Sequence, residues 1–372
     1  MKLLVFAHTP PPHHGQSYMV DLMLRGLREQ HPALEIYHVN CRLSRELADV
    51  GVIRPGKILR LLGYCFQAIW VAVRHRVGVF YYIPAPAKRG ALYRDWIVMA
   101  LCRPFFSHLV FHWHAMGLGE WIDNEARPWE KWISRQLISK ADLSMVLTAF
   151  NKSDAARLAP QKIAVVSNGI PDPCPNGLPP VSETSDSTPS TLLFLAHCTR
   201  EKGLFDAIEA VRLANHEGRR FRLIVGGTFP DEKEEAEFQE LLKSADLRKL
   251  VDYRGFISGA DKEAAFREAD LFIFPTYYVA ESQPVNLLEA MAYGLPVITT
   301  RWRAIPEMFP EGYPGLLEPK EPEAICRLLL SNDLREWRQR LRDHFVVSYS
   351  LPSHIDSLFS ALQRLDNPED RR

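Results

Sequence analysis

Apolar and polar positions along the chain fall into two alternating rhythms. Short continuous apolar runs, "KLLVFAH" (2–8), "LEIYHV" (34–39), "VGVFYYI" (77–83) and "HLVFHWH" (108–114), read as buried strands. Residues 17–29 and 57–76 instead carry apolar side chains at helical spacing. "ADLSMVLTAF" (141–150) and "KIAVVSNGI" (162–170) continue the strand series. Strand, helix, strand in succession predicts a parallel, doubly wound sheet. Residues 171–190, "PDPCPNGLPPVSETSDSTPS", have no apolar period and are rich in Pro, Ser and Thr, so they are expected to connect two domains. The alternation then restarts with "TLLFLAHC" (191–198), a helix over about 203–214, "FRLIVGG" (221–227) and an acidic helix over about 231–245. "VDYRGF" (251–256), "DLFIFP" (270–275) and "PVITT" (296–300) supply later strands. From Ser348 the chain regains helical spacing at Ile355, Leu358, Phe359 and Leu362 before a polar tail. The predicted class is α/β, with two Rossmann-like doubly wound units over 1–170 and 191–347, a linker over 171–190 and a terminal helix and tail over 348–372.

Composition narrows the picture. The 372 residues are 47% hydrophobic and 24% charged, which suits a globular chain of about two domains. The N-terminus enters a strand pattern without a signal peptide, and no uncharged apolar run reaches the length of a membrane span, so a cytoplasmic location is expected. Six scattered cysteines form no C-x-x-C pair and encode neither a zinc site nor a disulfide framework. The net charge of zero hides an asymmetry: residues 1–170 carry 21 Lys and Arg against 12 Asp and Glu, and the remainder 24 against 33. Arg42 to Arg103 concentrates the excess, with 11 basic and 3 acidic residues. That region is either a solvated face or an attraction for anionic lipid or an acidic acceptor. Lys57 to Arg76 likewise reads either as a helix packed on its sheet or as a membrane-surface helix, with Lys57, Arg60, Arg74 and Arg76 as a basic rim. Peripheral attachment at the inner face of the cell membrane is the corresponding expectation. Nothing in the pattern indicates nucleic-acid binding.

The stretch "FPTYYVAESQPVNLLEAMAYGLPVI" (274–298) carries Glu281 and Glu289 where a strand pattern becomes a helical one. In open parallel sheets, ligands collect beyond the carboxyl ends of strands. Free amides at Val285 and Asn286, in the first helical turn, would favour a diphosphate. An ionised carboxylate only accepts hydrogen bonds, so two of them suit the hydroxyls of a sugar and a ribose. The plainer alternative is a loop glutamate and a helix-surface glutamate.

The surrounding residues resemble the retaining family 4 glycosyltransferases of the two-domain GT-B type. "ADLFIFPTYYVAESQPVNLLEAMAYGLPVITT" is similar to that family's Glu-(x)7-Glu signature; "REKGLFDAIEA", "LIVGG", "YRGF" and "VVSNGI" resemble its other motifs. The resemblance implies a GT-B fold with an interdomain cleft and a C-terminal helix that crosses back to the first domain. It implies a metal-independent enzyme with no cofactor, moving a sugar from a nucleotide-diphosphate donor to a saccharide or lipid-linked hydroxyl acceptor in polysaccharide, lipopolysaccharide or glycolipid assembly. Glu281 would face the transferred sugar, Glu289 would bind the ribose, and Lys202 would contact the diphosphate. A cation there makes independent sense, because charge develops on the leaving group.

The chain departs from that pattern in places. His197 stands where many relatives have an arginine, and Arg200 is the nearby cation. "HTPPPHHGQS" (8–17) holds Gly15, where backbone could approach the diphosphate or acceptor, but Gln16 replaces a second glycine. "VFHWHAMG" (110–117) resembles the strand end that carries a pocket histidine, which makes His114 a candidate hydrogen-bonding group. His112, His114, His13 and His14 together leave open a metal site. Two other functional readings stand beside the transferase: another GT-B enzyme such as an epimerase or phosphorylase, and a non-catalytic subunit that binds nucleotide sugars.

Overall fold

The structure, a computed structural model, describes residues 1–11, 15–43, 55–84, 86–178, 189–218, 220–331 and 333–365. His13, His14, residues 179–188 of the connecting stretch and tail residues 366–372 lie outside them. Two compact units emerge, Met1–Ile170 with Ser350–Arg372, and Pro171–Tyr349.

The first unit alternates β1 (Lys2–Ala7), α1 (Gly15–Gln30), β2 (Glu35–Asn40), α2 (Pro55–His75), β3 (Val79–Tyr82), α3 (Arg89–Cys102) and β4 (His108–Trp113). It continues through α4 (Leu118–Asn124), α5 (Pro128–Leu137), β5 (Leu143–Val146), α6 (Lys152–Ala156) and β6 (Lys162–Val165). The second unit runs β7 (Ser190–Leu195), α7 (Leu204–His216), β8 (Phe221–Gly226), α8 (Glu232–Leu241), α9 (Ala245–Leu250), β9 (Val251–Tyr253), α10 (Gly259–Glu268) and β10 (Leu271–Phe274). After these come α11 (Val285–Ala292), β11 (Val297–Thr300), β12 (Leu316–Leu317), α12 (Pro322–Ser331) and α13 (Trp337–Ser348). The last helix, α14 (Leu351–Gln363), belongs to the first unit.

Each sheet has six strands, ordered β2-β1-β3-β4-β5-β6 and β12-β11-β10-β7-β8-β9, and every pairing is parallel. The doubly wound α/β class expected from the alternation is the one observed. Strand order reverses between β1 and β3 in one sheet and between β7 and β10 in the other, the places where such sheets open a crevice.

In the first unit the two sheet faces are covered separately. Leu4 and Phe6 point to one face, where Leu61 and Cys65 of α2 and Trp96 and Met99 of α3 pack. Leu3 and Val5 point to the other, where α1 and α14 meet them through Val20, Leu24, Ile355 and Leu358. The α1–α14 approach depends on Gly26, where a Cβ would come within 2.6 Å of Ile355 Cγ1. Ser350 bridges Ile170 just before α14, and Leu351 N donates to Ile170 O at 2.8 Å.

α2 is buried along one side only. By length and composition it could cross a membrane, yet Leu61, Cys65, Ala68 and Ala72 are buried in the unit, and both strands it joins lie in the sheet. The packed reading therefore describes that side of the helix. The opposite side exposes large apolar residues.

Candidate active site

The second unit brings its signature residues together at the β7/β10 reversal. After β7 the chain makes a tight turn and enters α7 through Gly203, whose φ of +85° lies in the left-handed region. A Cβ on Gly203 would lie 2.3 Å from Pro275 O, so the turn presses directly on the end of β10. Tyr277 N donates to Glu201 O at 2.8 Å and ties the two loops together. This contact sets Lys202 over the residues that follow β10. Lys202 Nζ lies 2.6 Å from Glu281 Oε2, with the two side chains 17% and 10% exposed. The ammonium also sits 4.4 Å from the Tyr278 ring centroid. Thr276, fully buried, places its hydroxyl 3.2 Å from the same Glu281 oxygen.

α11 begins beside this pair. Pro284 caps it in an extended conformation and Val285 opens the first turn, so the leading amides are released from intrahelical bonding. Asn286 Nδ2 donates to Leu195 O at 2.9 Å, which ties the helix start to the end of β7. One turn further in, Glu289 Oε1 accepts from Lys262 Nζ of α10 at 2.5 Å. Burial raises the Glu289 pKa, and the Lys262 ammonium opposes that rise.

The nearby candidates behave differently. Arg200 directs its guanidinium to Glu237 of α8 and over the Phe205 ring, 4.4 Å from its centroid, so in this structure its charge is engaged away from Glu281. Part of the His197 residue is exposed, yet its imidazole is desolvated by the surrounding protein, which, with the Lys202 charge second, lowers its pKa. Lys262, Thr276 and Tyr278 were missed by reading the sequence. Thr276 and Tyr278 stood inside the quoted stretch, but Lys262 lies 27 residues from its partner, and no local pattern marks it.

In the first unit, His114 follows β4 and its ring lies 4.4 Å from that of His112. His112 hydrogen-bonds the Tyr81 hydroxyl, and His354 of α14 donates from Nδ1 to Ser167 O at 2.6 Å. Burial drives all three imidazoles toward the neutral form: His112 well below the usual range, His114 down to about 3 and His354 to about 4. Repulsion from His354 adds to the shift of His114. Among the described residues no group of three or more His, Cys, Asp and Glu could hold a metal; His13 and His14 lie outside that statement. Gly15 opens α1, and a Cβ there would meet nothing within 4 Å.

The arrangement offers an ammonium able to neutralise an anion, two carboxylates able to accept from hydroxyls, and a helix N-terminus, all at one strand-order reversal. Residues 180–341 match the family model described as Glycosyl transferases group 1. The chain is 33% identical over 147 residues to the amylovoran biosynthesis glycosyltransferase AmsK of Erwinia amylovora, a match that covers 38% of this chain and 35% of the relative. It is 25% identical to the O-antigen chain mannosyltransferase B of Escherichia coli, over 54% of each chain. The chain thus spans only part of the length of the curated relatives it matches. HepE of Anabaena, solved in complex with UDP, superposes with a TM-score of 0.67 at 16% identity, covering 98% of this chain and 100% of that one. The fold is GT-B. The matched segment contains Lys202, Lys262, Glu281 and Glu289.

Proposed function

We propose that the protein is a retaining glycosyltransferase that takes a sugar from a nucleotide-diphosphate donor and places it on a hydroxyl of a saccharide or lipid-linked acceptor, on the cytoplasmic side, in polysaccharide, lipopolysaccharide or glycolipid assembly. The observation that carries this reading is the Lys202–Glu281 pair at the β7/β10 reversal, with the α11 N-terminus beside it. A largely buried ion pair seldom stabilises a fold more than apolar packing would, so one at a strand-order reversal calls for a role in binding. The names of the relatives place similar sequences in amylovoran and O-antigen synthesis, and a structural neighbour takes UDP.

In this proposal the donor diphosphate lies between Lys202 and the first amides of α11, Glu289 accepts from the ribose and Glu281 accepts from the sugar hydroxyls. The bond from the anomeric carbon to the diphosphate oxygen breaks as a bond to the acceptor oxygen forms on the same face. The acceptor proton passes to the departing phosphate oxygen, and Lys202 stabilises the charge left there. No metal is assigned a part in this scheme.

The test is transfer from a panel of nucleotide sugars to saccharide and lipid-linked acceptors, with and without EDTA, and NMR assignment of the product's anomeric configuration. Transfer with retention that persists in EDTA is the expected result. Inversion, loss of activity on chelation, epimerisation of the donor, or binding without turnover would each overturn a stated part of the proposal.

A further inference from the structure

α2 has two apolar sides, and the fold uses only one. Leu61, Cys65, Ala68 and Ala72 pack into the core, whereas Leu59, Phe66 and Trp70 are 71%, 76% and 58% exposed. Leu62 and Val73, also exposed, complete a stripe at spacings of three and four residues, which forms one continuous ridge. Arg60 and Arg74 are exposed along its edge, two heptads apart, with the polar Gln67 midway between them. Single exposed apolar residues are ordinary, but an aligned row of this size marks a contact surface.

The charge around the ridge selects the partner. The α2 sequence contains no Asp or Glu. The helices α3 and α5 cover the same sheet face as α2, and each has one acidic residue, Asp95 and Glu130, both buried. Asp95 is paired with Arg94, and Glu130 with Arg89. α2 itself therefore combines exposed Leu, Phe and Trp with arginine and no acid, and of the helices on this face α4 carries the exposed Glu120. A second copy of the chain would bring another arginine-edged ridge whose helix has no acidic side chain to pair with Arg60 and Arg74, which disfavours self-association through this ridge. An anionic bilayer surface offers both partners at once, with acyl chains for the ridge and phosphate groups for the arginines.

We infer that α2 seats the first unit on an anionic lipid bilayer, lying in the plane of the interface with Leu59, Phe66 and Trp70 among the acyl chains and Arg60 and Arg74 at the headgroups. The helix stays packed while docked, because its Leu61–Ala72 side remains in the core. This inference does not rest on the transferase reading, since it uses no residue of the candidate active site.

Vesicle co-sedimentation of the full chain tests it. Binding is expected to vesicles of about equal parts phosphatidylglycerol and phosphatidylcholine, and to fall as salt is added or phosphatidylglycerol is removed. Brominated acyl chains should quench fluorescence of the wild type more than that of Trp70→Phe. Arg60→Glu with Arg74→Glu should weaken the partition roughly thirty-fold or more. Phe66→Ser with Trp70→Ser should weaken it at least about ten-fold. Both pairs are exposed, so circular dichroism and donor affinity should match the wild type. The inference is overturned if the wild type ignores anionic vesicles at low salt, or if either double variant binds them as the wild type does. It is also overturned if sedimentation velocity shows lipid-free dimers that Phe66→Ser with Trp70→Ser dissolves, which would make a second copy the occupant.

Discussion

Lys202 Nζ lies 2.6 Å from Glu281 Oε2, and the two residues come from loops 79 positions apart that meet where the strand order of the second sheet reverses. In the free protein each neutralises the other. In the proposed function an incoming diphosphate competes for the ammonium, which leaves the carboxylate to accept from hydroxyls.

Lys202→Ala is therefore expected to lower turnover at saturating donor by roughly 10²- to 10³-fold, because its interaction strengthens as charge moves to the leaving group. Lys202→Arg should not restore it, since a planar fork does not replace a point charge in the same space. Steady-state kinetics decide the matter. Near-normal turnover in the alanine variant would remove Lys202 from the chemistry.

Gly203→Ala should damage stability and activity together. The position has φ +85°, and a Cβ would press on Pro275 O at 2.3 Å, so the turn carrying Lys202 would have to move. A loss of about 1–3 kcal/mol in urea unfolding is expected, with reduced turnover in whatever remains folded. Unchanged stability would show that the turn is looser than the contact implies.

Lys262→Met should shift the acid limb of donor affinity to higher pH. Burial raises the Glu289 pKa and Lys262 holds that rise in check, so without Lys262 the carboxylate takes up its proton at a higher pH and ceases to be an acceptor-only group. Calorimetric titrations from acidic to neutral pH would reveal the shift. An identical acid limb in both proteins would show that Lys262 does not control Glu289.

The buried imidazoles predict acid sensitivity. His114 and His354 have folded pKa values of about 3 and about 4, below the ordinary value of 6.5, so the unfolded chain binds protons first as pH falls. Their contribution to stability is complete above pH ~6.5 and is lost progressively as pH falls from there toward the folded values. The slope is at most roughly 1.4 kcal/mol per pH unit for each histidine. Urea midpoints at neutral and mildly acidic pH should differ, and His354→Gln should reduce the difference. Equal pH dependence in both proteins would contradict this account.

Much of this was legible in the sequence because parallel strands buried on both faces read as continuous apolar runs. β1, β3, β4, β7, β8 and β10 all stand out in that way. α3 was not foreseen: its apolar residues run around the helix, with Ala91, Ile97, Ala100 and Leu101 off the side that buries Leu92, Trp96, Met99 and Cys102, so the sequence shows no single stripe. The acidic helix expected over 231–245 breaks after Leu241, and a separate helix follows from Ala245. Glu281, Glu289 and Lys202 were legible from their motif. Arg200 was not, because its engagement depends on Glu237 from another helix. The exposure of the α2 ridge was equally hidden, since apolar residues at helical spacing look alike whether they face a core or not.

The most direct test of the central claim is donor binding at Glu289. Isothermal titration of the full chain with UDP- and GDP-sugars should show saturable binding of at least one. Glu289→Ala should lose about 0.5–3 kcal/mol of that affinity while its circular dichroism and unfolding midpoint stay close to wild type. Failure of the wild type to bind any nucleotide sugar, or equal affinity in a folded Glu289→Ala variant, would contradict the assignment of this crevice to a nucleotide-sugar donor.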